Sequence, residues 1–302
     1  MSAGFYHTCG VTTNGAAYCW GDNTSGQLGS GISATTSSSP VAVTGGLTFK
    51  AVSAGFSHTC GITTAGAAYC WGSNQSGDLG NATTGGLSAT PVAVVGGLTF
   101  ASVSAGALYN CGVTTSGAAY CWGGNGYGVL GNGTTLDSST PVAVSGGFTF
   151  ALISAGQDHS CGVTTGGATY CWGNSANGQL GTGVTAVNSS TPVAVIGGFT
   201  GAAITAGYIQ SCGLATGGIA YCWGDNSFGE LGTGTTSVSS PSPIAVIGGL
   251  TFSAISAGIS FHTCGLTTAG AAYCWGYNDS GELGNGTTGG YRSTPVPVLG
   301  GS

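Results

Sequence analysis

The sequence predicts an all-β fold: a β-propeller of six blades, each a four-stranded antiparallel sheet carrying one disulfide. Three observations lead there. The stretch 7–29, HTCGVTTNGAAYCWGDNTSGQLG, returns five more times at a period of about fifty residues, which marks a repeat architecture. Units open on Ser-Ala-Gly or Thr-Ala-Gly at Ser2, Ser53, Ser104, Ser154, Thr205 and Ser256. All twelve cysteines and all six tryptophans fall at fixed places in these units, Trp-Gly following the second cysteine each time. Each unit also reads as four short strands broken by turn residues, the pattern of a radially repeated sheet.

The hairpin at the centre of the unit carries the cysteines. In the first unit, 8–12 and 16–21 flank Thr13-Asn14-Gly15. A glycine recurs here as Gly66, Gly117, Gly167, Gly218 and Gly270, which suits a three-residue loop closed by a glycine of positive φ. Such a loop pairs Thr12 with Ala16, and outward from there Cys9 with Cys19. The alternation of an antiparallel ladder puts that pair at a non-hydrogen-bonded site, where side chains are closest. The expected bridges are Cys9–Cys19, Cys60–Cys70, Cys111–Cys121, Cys161–Cys171, Cys212–Cys222 and Cys264–Cys274. Zinc would want close pairs with two further ligands, and none occur. A Cys–His nucleophile is unsupported, because Tyr109 and Gln210 stand where His7 stands while their cysteines remain. His7, His58, His159 and His262 are expected to be structural, each ring bonded to backbone.

The other strands flank the hairpin. The first is typified by 48–53. The fourth is the Pro-Val-Ala-Val run at 40–43, with counterparts at Pro91, Pro141, Pro192, Pro243 and Pro295; its proline implies an edge or strand-start position. Gly-Gly then leads into the next unit, as at Gly45-Gly46. The short turn suggests that the fourth strand pairs with the first strand of the following unit, so that blade and repeat are offset and residues from Pro295 onward complete the blade begun at Ser2. Between Leu28-Gly29 and Pro40, and in the counterparts such as 81–90, run Ser/Thr/Gly-rich surface loops. Asn-x-Ser/Thr triplets at Asn23, Asn74, Asn81, Asn132, Asn188, Asn278 and Asn285 are candidate glycosylation sites. Residues 1–302 form one domain without a linker.

Composition narrows the function. Only 3% of residues are charged, the basic side chains are Lys50 and Arg292, and the formal net charge is −6. Such a chain cannot neutralise a run of phosphates, so nucleic acid and anionic membrane surfaces are poor partners. With 41% hydrophobic residues it can still build a core. No run has the length of a membrane span, so direct membrane insertion is not expected. Evenly paired cysteines point to an oxidising compartment, extracellular or at the cell surface. The opening MSAGFYH carries no export signal.

The pattern Ser-Ala-Gly-x-x-His-Thr, a hairpin ending Tyr-Cys-Trp-Gly, then x-Asn-x-x-Gly-x-Leu-Gly, resembles the repeat of the regulator of chromosome condensation 1 (RCC1) family, six times over. Trp20-Gly21, Asn23, Gly26 and Leu28-Gly29 carry the match in the first unit; the fourth departs, with Ser175 in place of Asn23. The best known members have seven repeats and this chain shows six. The resemblance implies a propeller but fixes no function. The founding member is a nucleotide exchange factor that also binds chromatin. This chain lacks a basic tail, and a disulfide-stapled body does not suit the nucleus. In composition it is most similar to a secreted bacterial subgroup of the family.

The leading expectation is a secreted or surface-displayed protein-interaction or adhesion propeller, a domain of a larger adhesin, filament or phage fibre, with a protein or glycan ligand on an extracellular surface or self-assembly. It is not read as an enzyme, and no catalytic residue, metal ligand or cofactor is assigned. The alternatives are a carbohydrate-active lyase or glycosidase, which would need two facing carboxylates that the sequence does not single out, and a purely structural repeat. The binding face is sought where the units differ. One place is the pair before the histidine position, with Phe5, Tyr6, Phe56, Tyr208, Ile209 and Phe261; the other is the turn after Trp-Gly, with Tyr127, Phe228 and Tyr277. Loops on a rigid scaffold carry function, and aromatic anchors dominate interfaces.

Overall fold

The structure is a computed structural model and describes residues 1–236, 239–258 and 260–300. Among the described residues, twenty-four strands form six sheets of the β-propeller type, each built from four strands in chain order. Blade one comprises Ser2–Ala3, His7–Val11, Ala17–Gly21 and Ser37–Ala42. Blade two comprises Phe49–Ala54, His58–Thr63, Ala68–Ser73 and Leu87–Ala93. Blade six comprises Phe252–Ala257, His262–Thr267, Ala272–Tyr277 and Tyr291–Pro297. The chain divides into two compact units, Met1–Ala155 and Gly156–Ser302.

The hairpin forms as its turn chemistry dictates. Gly15 takes φ +84°. Its N–H donates to the Thr12 carbonyl, and the Thr12 N–H donates to the Ala16 carbonyl, both at 2.9 Å. That register sets Cys9 opposite Cys19 and Thr8 opposite Trp20. All six expected disulfides are present, with Cα–Cα distances of 4.0–4.1 Å, as at the close pairs of an antiparallel ladder.

Blade and repeat coincide, which corrects the expected offset and the expected completion of the first blade by Pro295 onward. In blade one, Val41 pairs with Cys19 and Ala42 with Tyr18, and the register shifts before Gly21 meets Ser37. Pro40 sits in that irregular stretch of an outer strand, where its missing N–H costs no ladder bond. The fourth strand starts at Ser37, three residues before the proline. The Gly45-Gly46 link then carries the chain past the hairpin turn of its own blade, where the Phe49 N–H donates to the Gly15 carbonyl at 2.8 Å. Phe49 is buried in the core of blade one with Cys9, Cys19, Leu28 and Trp71. Its strand nonetheless pairs within blade two, Ala54 with Thr59. A short link therefore places the next blade's first strand without pairing it to the strand before.

The Ser-Ala-Gly signature is explained by contacts between neighbouring blades. The hydroxyl of Ser2 accepts the Ala54 N–H at 3.0 Å, and that of Ser53 accepts Ala105 N–H at 2.9 Å. In the second unit Thr205 accepts Ala257 N–H in the same way. The glycine is needed for approach: a Cβ on Gly4 would lie 2.3 Å from the Gly55 carbonyl oxygen.

Candidate functional site

In each antiparallel blade, the link between strands one and two and the link between strands three and four lie at the same end. That end holds every aromatic singled out as a candidate binding residue. In blades one and two, the links 4–6 and 55–57 bring three rings together. Phe5 lies 4.4 Å from Tyr6 and 4.6 Å from Phe56 between ring centroids, and Tyr6 lies 5.4 Å from Phe56. Phe5 and Phe56 are half-buried, and Tyr6 is 55% exposed. The cluster crosses a blade junction held by the Phe5 N–H donating to the Gly55 carbonyl at 3.2 Å.

A second cluster joins blades five and six. Phe261 stacks on Tyr208 at 4.6 Å and on Phe228 at 5.2 Å, and Phe228 meets Tyr277 at 5.0 Å. All four are half-buried. Phe261 has φ +55°, rare for an aromatic residue, in the link that carries one extra residue. Tyr277 is the last residue of its strand rather than a loop residue, and its hydroxyl donates to Asp279 at 2.7 Å. Ile209 is half-buried beside the cluster, and Tyr127, 43% exposed, stands apart with no ring contact among the described residues.

Beneath this end lies a polar clamp that the sequence reading missed in part. The histidines are structural, but the rings of His7, His58 and His159 meet a side chain of the next blade where backbone was expected. His7 Nε2 meets Thr59 Oγ1 at 2.7 Å, and His58 Nε2 meets Asn110 Oδ1 at 2.8 Å. In the second unit His159 Nε2 meets Ser211 Oγ at 2.8 Å. Thr59 and Ser211 donate their own hydroxyl protons to the Gln27 and Gln179 carbonyls. Each oxygen therefore accepts from the ring, which fixes the proton on Nε2. Burial, reinforced by His58 nearby, lowers the His7 pKa to about 4, and burial lowers that of His159 to about 3. Both rings are neutral at pH 7. His262 differs: its Nδ1 lies 3.2 Å from the Ser260 carbonyl.

The same carbonyls receive the tryptophans. Trp71 Nε1 donates to the Gln27 carbonyl and Trp122 Nε1 to that of Asp78. Trp223 and Trp275 do likewise to Gln179 and Glu230. These indoles are wholly buried between neighbouring blades. Asn23, Asn74 and Asn278 are buried too, their amides holding the turn; Asn23 Oδ1 accepts the Leu28 N–H and Nδ2 donates to the Ile32 carbonyl. That removes these three from the candidate glycosylation sites.

One carboxyl pair, which the sequence did not single out, comes together in blade five. Glu230 is fully buried against Asp225, and burial first, with Asp225 adding to it, raises its pKa to about 7. Asp225 accepts from Ser227 N–H and from the side chains of Ser227, Asn177 and Ser239. Glu230 Oε2 accepts the Phe228 N–H at 2.7 Å, while Oε1 has no donor. In blade one the equivalent Gln27 donates from Nε2 to Asp22 at 2.6 Å. Protonated Glu230 can do the same toward Asp225. The pair is closed to solvent and braces a turn, unlike the open, separated carboxylates of a glycosidase. A cleft of ≈ 290 Å³ elsewhere in this unit is lined by Phe199, Thr200, Thr216, Tyr221 and Pro243, without a carboxylate. No group of three or more His, Cys, Asp or Glu that could hold a metal occurs among the described residues.

Blades of four strands, an indole seated on the preceding blade and a turn capped by asparagine define a repeat propeller. The sequence profile of the RCC1-like domain matches residues 1–300, and the chain belongs to that family. It is 30% identical to the ultraviolet-B receptor UVR8 of Arabidopsis thaliana over 95% of this chain and 54% of the receptor. It is 28% identical to the human E3 ubiquitin-protein ligase HERC2 over 92% of this chain and 6% of the ligase. The chain thus spans about half the receptor and a small part of the ligase. Among solved structures, human WBSCR16 superposes with TM-score 0.89 at 22% identity, covering 99% of this chain and 81% of that one. Yeast RCC1 bound to Kap60 superposes with TM-score 0.87 at 19% identity, covering 98% and 74%.

Proposed function

We propose that this chain is an extracellular, surface-displayed protein-interaction propeller of the secreted bacterial type, which binds a protein or glycan through the aromatic end of its blades. The observation that carries the reading is the pair of ring clusters. Nothing in the blade framework requires Tyr6, Phe228 or Tyr277, since Ser57, Ser76 and Asp22 fill the same positions in other blades. Rings grouped at one end of disulfide-stapled blades are pre-ordered anchors. Six disulfides suit an oxidising compartment. Two related structures point to protein ligands: yeast RCC1 with Kap60, and Prp20p with its binding to Gsp1p and histones. Those partners are not carried over, because two basic residues make no nucleic-acid or chromatin surface. No catalytic step is proposed.

The test is an array of extracellular proteins and glycans probed with the wild type and with Tyr6→Ser, Phe228→Ser and Tyr277→Asp, each a residue another blade already uses. Ligands bound by the wild type should be lost by the ring variants and kept by variants of loop 81–86. Ligands kept by all three ring variants would refute the assignment.

A further inference from the structure

Where the chain passes from blade four to blade five, three residues in contact depart together from the repeat. In blades two, three and six the first strand opens on Phe49, Phe100 or Phe252, whose ring enters the core of the blade before it. Leu47, Leu98 or Leu250, two places earlier, packs against the same core. Blade five opens on Gly201 instead. Thr169, in blade four, stands where the other blades have alanine. A Cβ on Gly201 would lie 2.8 Å from Thr169 Oγ1, a buried hydroxyl with no hydrogen-bond partner. The missing ring is supplied by Phe199, from the leucine position. It lies 5.7 Å from Trp223, as Phe49 does from Trp71, and it covers Gly213 as Phe49 covers Gly61.

One side chain therefore stands where other blades use two, and the space left over is the cleft of ≈ 290 Å³. It lies at the hairpin-turn end of blade five, away from the ring clusters. The rings of Phe199, Tyr221 and Pro243 line it, together with Thr200 and the hairpin residues Ala215 and Thr216. Ala215 is a fourth departure. Other blades have threonine there, whose hydroxyl bridges the turn, as Thr12 Oγ1 does in accepting the Ala16 N–H at 3.1 Å. Among the described residues the hydroxyls of Tyr221 and Thr216 have no partner, and Thr216 is exposed. No charged side chain lines the cleft.

From this we infer that the cleft of blade five is a binding site for a single neutral sugar ring, a pyranose. Such a ring presents C–H groups on its faces and hydroxyls around its edge. The faces match the rings of Phe199, Tyr221 and Pro243, and the edge matches the free hydroxyls of Tyr221 and Thr216. A charged ligand would give up water here without meeting a counter-charge. Clefts for larger ligands begin at about 300 Å³, so this one holds one ring. Departures from an otherwise consistent framework gather at functional sites, and four of them meet at this cleft. The site is separate from the aromatic end and does not depend on what binds there.

Saturation-transfer NMR tests it, with the methyl pyranosides of glucose, galactose, mannose and N-acetylglucosamine as probes and phenol as the probe for a plain aromatic ring. At millimolar concentration at least one pyranoside should bind the wild type. Tyr221→Phe, which removes only the hydroxyl, should weaken that binding about threefold to tenfold, the worth of one hydrogen bond. Thr169→Ala, Phe199→Leu and Gly201→Phe made together restore the residues of other blades, fill the cleft and should abolish binding. Retention of six disulfides and of the β-sheet circular dichroism checks its folding; should it fail to fold, Thr216→Trp at the exposed mouth blocks the same cleft. Phe228→Ser, at the ring end, should leave binding unchanged. No pyranoside bound by the wild type, binding that survives the filled or blocked cleft or is unchanged in Tyr221→Phe, or phenol bound while every pyranoside is refused, would overturn the inference.

Discussion

Replacing Glu230 by Gln should change stability in a pH-dependent manner whose size follows from the buried pair. Folding raises the Glu230 pKa from 4.5 to about 7. The folded chain therefore holds the proton over a window in which the unfolded chain has released it. The stabilisation linked to that proton is complete below pH 4.5 and is lost as pH rises toward 7. The shift corresponds to about 3 kcal/mol, at 1.36 kcal/mol per pH unit. Glutamine keeps the donor toward Asp225 at every pH, as Gln27 does toward Asp22. Urea unfolding with disulfides intact should show the difference between variant and wild type growing in the variant's favour by about 3 kcal/mol from pH 4.5 to above pH 7, then levelling. Taking the difference matters, because the histidines titrate over part of the same range with the opposite sign. A difference independent of pH would refute the buried, proton-sharing pair.

Three further outcomes are expected. His7 has its pKa lowered from 6.5 to about 4, so its contribution is full above pH 6.5 and lost as pH falls toward 4; His7→Gln, the residue that blade five uses as Gln210, should flatten that acid limb in urea titrations. Replacing Cys60 and Cys70 together by Ala should lower stability by about 3 kcal/mol, the chain-entropy value for so short a loop, with intact mass showing five remaining bridges. Trp71→Ala should cost about 3–5 kcal/mol by thermal melting, because its indole is wholly buried.

Much of the blade was legible because its determinants are local. Gly15 sets the turn, the turn sets the register, and the register brings Cys9 to Cys19. The offset between blade and repeat was misjudged for a physical reason: a short Gly-Gly link limits distance but does not say which edge the next strand pairs with. Phe49 shows the ambiguity directly, its ring in one blade's core and its strand in the next blade's sheet. The clamp was only half legible. The recurrence of His7 signalled a structural role, but Thr59, about a full repeat away, could be recognised as its partner only once neighbouring blades were placed. The alternation of Thr, Asn and Ser at 59, 110 and 211, all capable of accepting from a ring N–H, was the available signal. The aromatic positions were found as departures from an otherwise uniform repeat, while their grouping into two clusters depended on which blades adjoin.

The most direct measurement of the binding-face assignment is a hydrogen-exchange footprint of the chain with a ligand taken from the array. Protection should appear at residues 4–6, 55–57, 207–209 and 226–229, the links that carry the rings. Protection confined to the hairpin turns such as 13–15, at the opposite end of the blades, or to loops such as 81–86, would contradict the account.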